Sequence, residues 1–257
     1  MVDCRSLIGC ALPLFIKVET TRMHNALPRN QFLELLEGVA RQQPNQAFRD
    51  DYENVLETVA SDQEYHFQGL KLRAPSTVYA PSDGGSTSFV ARSWASAQLE
   101  RPEGRMLEIG CGTGALSLMA ARAGWDVIGV DVNPIAVEAA RANAAANGMT
   151  DCFQESDLFT NVTGQQFDVI LFNLPFYHKA SVTEREVALS DHNGGLAKRF
   201  LDEAGSYLVP GGRLVFTWSN CSNPALLNRN DWSFSIAAVD YQSFNQYWRV
   251  LLTAHRR

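Results

Sequence analysis

The sequence contains no long apolar run, and this bounds the class of protein before any motif is considered. The apolar stretch at residues 7–16 is too short to cross a bilayer, and Pro13 interrupts it. Internal repeats and low-complexity linkers are also absent, which argues against solenoids and disordered chains. We therefore predict a globular protein without a membrane partner.

Positive charge is scarce as well. The 257 residues include 22 lysines and arginines against 28 aspartates and glutamates, which gives a net charge of −6. An acidic chain does not favour unspecific binding to nucleic acid or to anionic membranes, although a local basic patch is compatible with it. We therefore expect that nucleic acid is not the partner.

Cysteine is sparse, odd in number and scattered. No spacing between the cysteines is typical of a metal site, so no metal ligands are predicted. The same pattern favours a reducing compartment over a disulfide framework, and we expect a cytoplasmic protein. The five residues are Cys4, Cys10, Cys111, Cys152 and Cys221.

Three glycines at alternate positions mark the stretch around which the chain is organised. An apolar run just before them predicts a buried strand, and residues 115–123 predict a helix. Gly110, Gly112 and Gly114 lack a Cβ, so a ligand can lie against the main chain of this glycine loop, residues 110–114. Within the loop, Cys111 is expected to contribute its backbone N–H.

An acidic residue follows the next predicted strand. Residues 127–130 are apolar, and Asp131 comes roughly 20 residues after the glycine loop begins. At that place a carboxylate accepts hydrogen bonds from both hydroxyls of a ribose. Asp131 and its neighbour Val132 are therefore predicted to bind the nucleoside part of a cofactor.

Two nucleoside ligands fit this layout. A dinucleotide-binding turn needs glycine at its third position, where this chain has Ala115, a replacement that the motif sometimes tolerates. The carboxylate of Glu108 argues the other way, because it would repel a pyrophosphate but suits a ligand with an ammonium and a sulfonium group. Residues 107–114 resemble the first motif of class I S-adenosylmethionine-dependent methyltransferases. The resemblance implies S-adenosyl-L-methionine as cofactor, with Glu108 holding the methionyl ammonium through water.

A second acidic position follows the third predicted strand, at residues 152–154. Asp157 lies where this fold usually hydrogen-bonds the adenine amino group, so the resemblance implies an adenine site at Asp157 and Leu158.

Strand and helix patterns alternate through the rest of the chain, which requires a mostly parallel sheet. We predict an α/β, doubly wound, Rossmann-like fold with a seven-stranded sheet that ends in an antiparallel hairpin. Residues 1–83 are predicted to form an N-terminal extension of helices and a hairpin, and residues 84–257 the cofactor-binding domain. The further predicted elements are helices at 30–40, 45–60, 86–99 and 196–209, a hairpin at 65–72, and strands at 167–172, 213–218, 232–239 and 247–254.

The tetrapeptide after the fourth strand carries the chemistry. Asn173, Leu174, Pro175 and Phe176 should face the crevice beyond the carboxyl ends of the strands. The Asn173 side chain and the Leu174 carbonyl, which the proline holds extended, are two fixed acceptors for the hydrogens of an –NH2 group. Phe176 can lie against the substrate plane or the sulfonium.

This tetrapeptide resembles the Asn-Pro-Pro-Tyr motif of methyltransferases that modify glutamine amides, adenine N6 or guanine N2. Leu174 replaces the first proline and Phe176 replaces the tyrosine, so the nitrogen preference is kept and the substrate is left open. Further segments, at 67–70, 78–81, 194–196 and 210–212, resemble the release-factor glutamine methyltransferases over roughly residues 64 to 257. Those enzymes have a longer helical N-terminal domain that grips a protein partner.

Three functions remain open from the sequence. The first is an N-methyltransferase acting on an amide or amine nitrogen of a small molecule or peptide. In the second, S-adenosylmethionine alone is the substrate: its amino group docks on Asn173 and attacks its own γ-carbon, which gives azetidine-2-carboxylate and methylthioadenosine. The third is a non-catalytic S-adenosylmethionine sensor.

Overall fold

The computed structural model describes residues 62–100, 102, 104–177, 184–242 and 247–257. The helices predicted at 30–40 and 45–60 lie outside the described residues. The predicted boundary between residues 83 and 84 stays a prediction.

The described chain opens with the predicted hairpin. Strands β1 (Gln63–Phe67) and β2 (Leu70–Ala74) pair antiparallel around Gln68 and Gly69. Both turn residues have a positive φ, +49° and +77°, as a tight two-residue hairpin turn requires. The next helices are α1 (Ser86–Arg92), α2 (Ala115–Arg122), α3 (Pro134–Ala146), α4 (Glu184–Val187) and α5 (Gly195–Glu203). The next strands are β3 (Arg105–Ile109), β4 (Asp126–Asp131), β5 (Phe153–Glu155), β6 (Phe167–Phe172), β7 (Leu208–Ser219), β8 (Trp232–Gln242) and β9 (Tyr247–Arg256).

Seven strands form one sheet in the order β5-β4-β3-β6-β7-β9-β8. The pairs among β5, β4, β3, β6 and β7 are parallel, and β9 is antiparallel to both β7 and β8. The seven-stranded, mostly parallel sheet with a final antiparallel hairpin is confirmed. The chain leaves β3 toward one edge and returns at β6 toward the other, so a ligand crevice opens beyond the carboxyl ends of these two strands.

The sheet is buried on both faces. Successive residues of β3 point to opposite sides, so Leu107 packs in one apolar cluster with Phe200 of α5. Met106 packs in the other cluster, with Leu116 of α2. Burial on both faces explains why the central strands have continuous apolar runs instead of alternating ones.

Two predicted helices are too long. The chain after α1 continues in turns, and Gln98 has φ +56°, which a helix does not allow. The helix predicted at 196–209 ends at Glu203, and β7 already begins at Leu208. Phe167 pairs with Leu208 and Val169 pairs with Arg213, so the Pro-Gly-Gly segment is a bulge inside β7 and not a separate turn.

None of the helices in the described part of the chain combines the length and the apolar character that a bilayer crossing requires.

Candidate active site

A cavity of about 370 Å³ lies beyond the carboxyl ends of β3, β4, β5 and β6. Its volume is in the range that small-molecule sites usually have. Most of the residues predicted from the sequence line it: Glu108, Gly110, Cys111, Gly112, Asp131, Val132, Asp157, Leu158, Asn173 and Pro175. Gly114, Leu174 and Phe176 are not among the lining residues.

The glycines of the loop serve different purposes. A Cβ added to Gly112 would meet no atom within 4 Å, so this position faces open space, which a ligand chain could fill. A Cβ added to Gly114 would come within 2.7 Å of the Phe153 ring, so Gly114 serves the packing of α2 against the sheet. Both glycines have a positive φ, +53° and +79°, which disfavours any other residue.

Asp131 holds the glycine loop to the end of β4. Its carboxylate accepts hydrogen bonds from the backbone N–H of Gly112 at 2.8 Å and of Asn133 at 2.9 Å. Burial raises the pKa of Asp131, and the hydrogen bonds from Asn133 and Gly112 oppose that rise. Each carboxylate oxygen keeps a further lone pair, so both oxygens can still accept hydrogen bonds, as the predicted contact to ribose hydroxyls requires.

Glu108 is a buried acid at the wall of the cavity. Only 2% of the residue is exposed, and its carboxylate accepts a hydrogen bond from the Ser117 hydroxyl of α2. Burial raises the pKa of Glu108 to about 8, while the bond from Ser117 lowers it. A cationic ligand in the cavity would favour the ionised form, because an opposite charge offsets the cost of burial.

Asp157 has a partner that the sequence did not indicate. Arg199 of α5 forms a bidentate ion pair with its carboxylate, with N–O distances of 3.2 and 3.1 Å. The next residue, Leu158, has φ +48°, a left-handed conformation that is rare for leucine. The Ser156 hydroxyl stabilises it by donating to the Leu158 carbonyl at 2.9 Å.

Asn173 is held between two buried threonines. Its amide nitrogen donates to the Thr87 hydroxyl of α1 at 3.3 Å. The Thr217 hydroxyl of β7 lies 3.2 Å from the Asn173 Oδ1 atom and 3.4 Å from the Leu174 carbonyl oxygen. Neither threonine was predicted, since no local pattern links them to Asn173.

The Phe176 ring packs away from the lining of the cavity. It lies 5.0 Å from the ring of Tyr177 and 5.6 Å from the ring of Tyr247, measured between centroids. The backbone N–H groups of Phe176 and Tyr177 donate to the Leu189 carbonyl, which joins this segment to the turn that follows α4.

The N-terminal hairpin supports the glycine loop directly. The Tyr65 hydroxyl of β1 donates to the Thr113 hydroxyl at 2.7 Å. The Asn143 side chain of α3 donates to the carbonyls of Thr113 and Arg73, which connects the loop, α3 and β2.

This arrangement of strand, glycine loop, acidic strand ends and asparagine is matched by a known family. The model of the methyltransferase small domain matches residues 79–230, more than half of the chain. The chain belongs to the methyltransferase small domain family. As a member of that family it is an S-adenosylmethionine-dependent methyltransferase, and the open space at Gly112 beside the buried carboxyl of Glu108 fits a cationic nucleoside cofactor.

Several curated relatives of this methyltransferase act on different substrates. A putative protein N5-glutamine methyltransferase of Methanocaldococcus jannaschii is 36% identical over 152 residues, which is 56% of this chain and 74% of the relative. Ribosomal RNA small subunit methyltransferase C of Alcanivorax borkumensis is 35% identical, over 51% of this chain and 37% of the relative. A tRNA1(Val) adenine-N6-methyltransferase of Porphyromonas gingivalis is 32% identical, over 51% of this chain and 56% of the relative. The chain thus spans less than two thirds of these two RNA-modifying relatives.

A solved structure supports the fold of this methyltransferase. The 16S rRNA N2 methyltransferase of T. thermophilus, in complex with AdoMet and guanosine, superposes with a TM-score of 0.60 at 23% identity. The match covers 76% of this chain and 50% of that one.

The prediction that nucleic acid is not the partner is wrong. Curated relatives include methyltransferases that are named for ribosomal RNA and for tRNA. The error lies in the use of net charge, because a sum over the whole chain does not describe the field at one site.

Proposed function

We propose that this methyltransferase transfers a methyl group to an amide or amine nitrogen. Asn173 carries the proposal: it lines the cavity at the end of β6, and hydrogen bonds with Thr87 and Thr217 hold its side chain in place. A carbonyl oxygen held in this way accepts a hydrogen bond from an –NH2 group and orients its lone pair. The relative with a glutamine methyltransferase name supports the same acceptor chemistry.

We assign the cofactor end of the cavity to the residues beyond β3, β4 and β5. In this proposal Glu108 binds the methionyl ammonium, Asp131 binds the ribose hydroxyls, and Asp157 binds the adenine amino group. Their support is that all three residues line one cavity, Glu108 and Asp131 on β3 and β4 and Asp157 just after β5. Gly110, Cys111 and Gly112 supply the main chain against which the cofactor lies, and Val132 and Leu158 supply apolar contacts.

We assign the acceptor end to the tetrapeptide. The acceptor nitrogen docks on the Asn173 oxygen, and the Leu174 carbonyl is the second acceptor. These two oxygens lie near each other, because both are within 3.4 Å of the Thr217 hydroxyl. Pro175 lines the cavity and keeps Leu174 extended, while Phe176 supports the segment through its aromatic neighbours.

The proposed methyl transfer requires little acid–base catalysis by the protein. S-adenosylmethionine supplies a methyl group that its sulfonium already makes electrophilic. In-line attack by the acceptor nitrogen forms the N–C bond as the S–C bond breaks, and the nitrogen then loses a proton to water. The part of the protein is alignment of the nitrogen and exclusion of bulk water.

The test is to identify the product with each of several acceptors. The pure protein is incubated with S-adenosylmethionine and either a glutamine-containing peptide, adenosine, guanosine, tRNA or ribosomal RNA, and products are identified by mass spectrometry. We expect S-adenosylhomocysteine only when an acceptor is present, with the methyl group on nitrogen. A methyl group on carbon or oxygen would contradict the proposal.

The cofactor alone is the control for the cyclising alternative. Methylthioadenosine and azetidine-2-carboxylate formed together without any acceptor, above the level of a protein-free control, would show cyclisation. The relatives named above are all methyltransferases. We also propose a cytoplasmic location, which the free cysteines Cys111, Cys152 and Cys221 support and which cell fractionation would test.

A further inference from the structure

Thr217 is a polar residue at a place where packing alone would favour an apolar one. It lies near the carboxyl end of the central strand β7, is 1% exposed, and is not among the residues that line the cavity. Val215, two residues earlier and thus on the same face, belongs to an apolar cluster. Valine has nearly the shape of threonine, and a buried hydroxyl is unfavourable unless it is hydrogen-bonded.

The hydroxyl of Thr217 reaches the two oxygens to which the proposed function assigns the acceptor nitrogen. It lies 3.2 Å from the Asn173 side-chain oxygen and 3.4 Å from the Leu174 carbonyl oxygen. A hydroxyl has one hydrogen, so it is shared between these acceptors, and each oxygen retains lone pairs for an incoming N–H group.

The amide of Asn173 is thereby restrained at both ends. Its nitrogen donates to Thr87 on α1, and its oxygen is held by Thr217 on β7. Any rotation short of a half turn about the bond that carries the amide would break both contacts, so the two hydroxyls fix the plane of the amide. The plane in which the Asn173 oxygen lies therefore depends on residues of two other elements and not on the acceptor.

We propose that Thr217 is a positioning residue, which sets the direction of the Asn173 oxygen and the Leu174 carbonyl toward the methyl acceptor. This inference rests on the proposed function, because it concerns the same acceptor site. Since Thr217 does not line the cavity, its effect on a ligand acts through Asn173 and Leu174. Preorganised acceptors bind a donor without the cost of ordering at the moment of binding.

The experiment measures binding and needs no methyl acceptor. Sinefungin is a cofactor analogue whose amine occupies the place of the transferable methyl group, whereas S-adenosylhomocysteine has nothing there. The ratio of their dissociation constants, from calorimetry, reports on the acceptor oxygens and cancels the rest of the cofactor site. Thr217→Val removes the hydroxyl and keeps the shape, and Thr217→Ser keeps the hydroxyl.

We expect Thr217→Val to weaken the binding of sinefungin about tenfold, which is the upper range for loss of one hydrogen bond. The affinity for S-adenosylhomocysteine should be unchanged. Thr217→Ser should restore most of the sinefungin affinity. Thr253→Val on β9, opposite Val215, is the matched control, and it should leave both affinities unchanged. If Thr217→Val does not fold, Thr217→Ala is compared with Thr217→Ser, since this pair also differs by the hydroxyl alone.

Two results would overturn the inference. One is an unchanged sinefungin affinity in a folded variant without the hydroxyl, and the other is an equal loss for both ligands, which would indicate a general structural role. Once an acceptor is known, Thr217→Val should also lower kcat about tenfold and leave the KM for S-adenosylmethionine unchanged. A methyl group found on carbon would refute the proposed function without changing the binding ratio, so the two failures are distinguishable.

Discussion

At the scale of a single residue, the buried carboxyl of Glu108 couples cofactor binding to pH. It lies at the wall of the cavity with almost no exposure to solvent, and burial raises its pKa to about 8. At neutral pH the ligand-free protein therefore has a largely protonated Glu108. A cofactor with an ammonium and a sulfonium group favours the ionised form, so binding is expected to release a proton.

We predict that S-adenosylmethionine affinity rises from pH 6 to pH 7.5, by up to about tenfold per pH unit, because each bound ligand displaces one proton. Calorimetry in two buffers with different ionisation enthalpies measures the released proton. Glu108→Gln should give weaker binding that does not depend on pH in this range. Binding by the wild-type protein without proton release would show that Glu108 does not face the cationic part of the cofactor.

The same pKa has a consequence for stability, with the opposite sign. The folded-state pKa lies above the ordinary value of 4.5, so the contribution of Glu108 to stability is full below that value and is lost as the pH rises through about 8. The melting temperature of the ligand-free wild-type protein, measured relative to that of Glu108→Gln, should therefore fall between pH 6 and pH 9.

Asn173 carries the third prediction at this scale. Asn173→Ala is expected to lower kcat by about 10²–10³ and to spare most cofactor binding, because one preorganised acceptor is lost. Asn173→Asp keeps the size and the acceptor but adds a charge, so it should hold an amine protonated and unreactive. A variant Asn173→Ala that keeps more than about a tenth of the wild-type rate, in a methyl-transfer assay with an acceptor identified by the product test, would rule out docking on Asn173.

At the scale of elements, β3, the glycine loop and α2 form one unit in which neighbouring glycines have separate tasks. Gly112 faces open space. Gly114 leaves no room for a Cβ, which would come within 2.7 Å of Phe153 and 3.1 Å of Ala140. The unit also depends on the hairpin, since Tyr65 of β1 bonds Thr113 within the loop.

We predict opposite effects for two substitutions within this unit. Gly112→Val should abolish cofactor binding, because its side chain enters the space of the ligand and φ +53° strains a valine in the loop, but it should lower the melting temperature less than Gly114→Val, because its Cβ meets no atom within 4 Å. Gly114→Val should lower the melting temperature strongly, because its Cβ would come 2.7 Å from the Phe153 ring, which is buried. Calorimetry for binding and thermal melting for stability, applied to both variants, separate the two roles. Normal cofactor affinity in a folded Gly112→Val protein would show that the loop does not touch the ligand.

At the scale of the whole molecule, one arginine joins the C-terminal hairpin to the start of α1. Arg249 of β9 is almost fully buried and pairs with Asp240 of β8 at 2.6 Å. It also donates to the Gly84 carbonyl at 2.7 Å and to the Ser86 hydroxyl at 3.2 Å. Since α1 also carries Thr87, this contact connects the antiparallel edge of the sheet with the candidate active site.

Arg249→Met is expected to destabilise the protein by about 3 kcal/mol, because it leaves Asp240 without its partner; the partial exposure of Asp240 places the loss at the lower end. For a chain of this length that corresponds to a fall in melting temperature of about 6–12 °C. Arg73→Met, which breaks an exposed pair with Asp62, is the matched control and should change little. Equal shifts in the two variants, measured by scanning calorimetry, would show that Arg249 acts as an ordinary surface arginine.

The sequence by itself determined the local parts of this protein. The apolar runs predicted the strands of the parallel sheet, and the glycines and Asp131 indicated a nucleoside site, because these signals depend on neighbouring residues along the chain. Net charge misled the partner prediction, since it carries no position. The end of the helix at Glu203 was also missed, because pairing of β7 with β6 draws Leu208 into the sheet.

Only the tertiary structure decided which side chains meet at the site. Thr87 and Thr217 lie 86 and 44 positions from Asn173, and Arg199 lies 42 positions from Asp157. Such contacts arise from strand order and helix packing, which bring distant segments to the same end of the sheet, and no local pattern in the chain encodes them. The type of cofactor could therefore be predicted from the sequence. The contacts that hold Asn173 in the acceptor site could not.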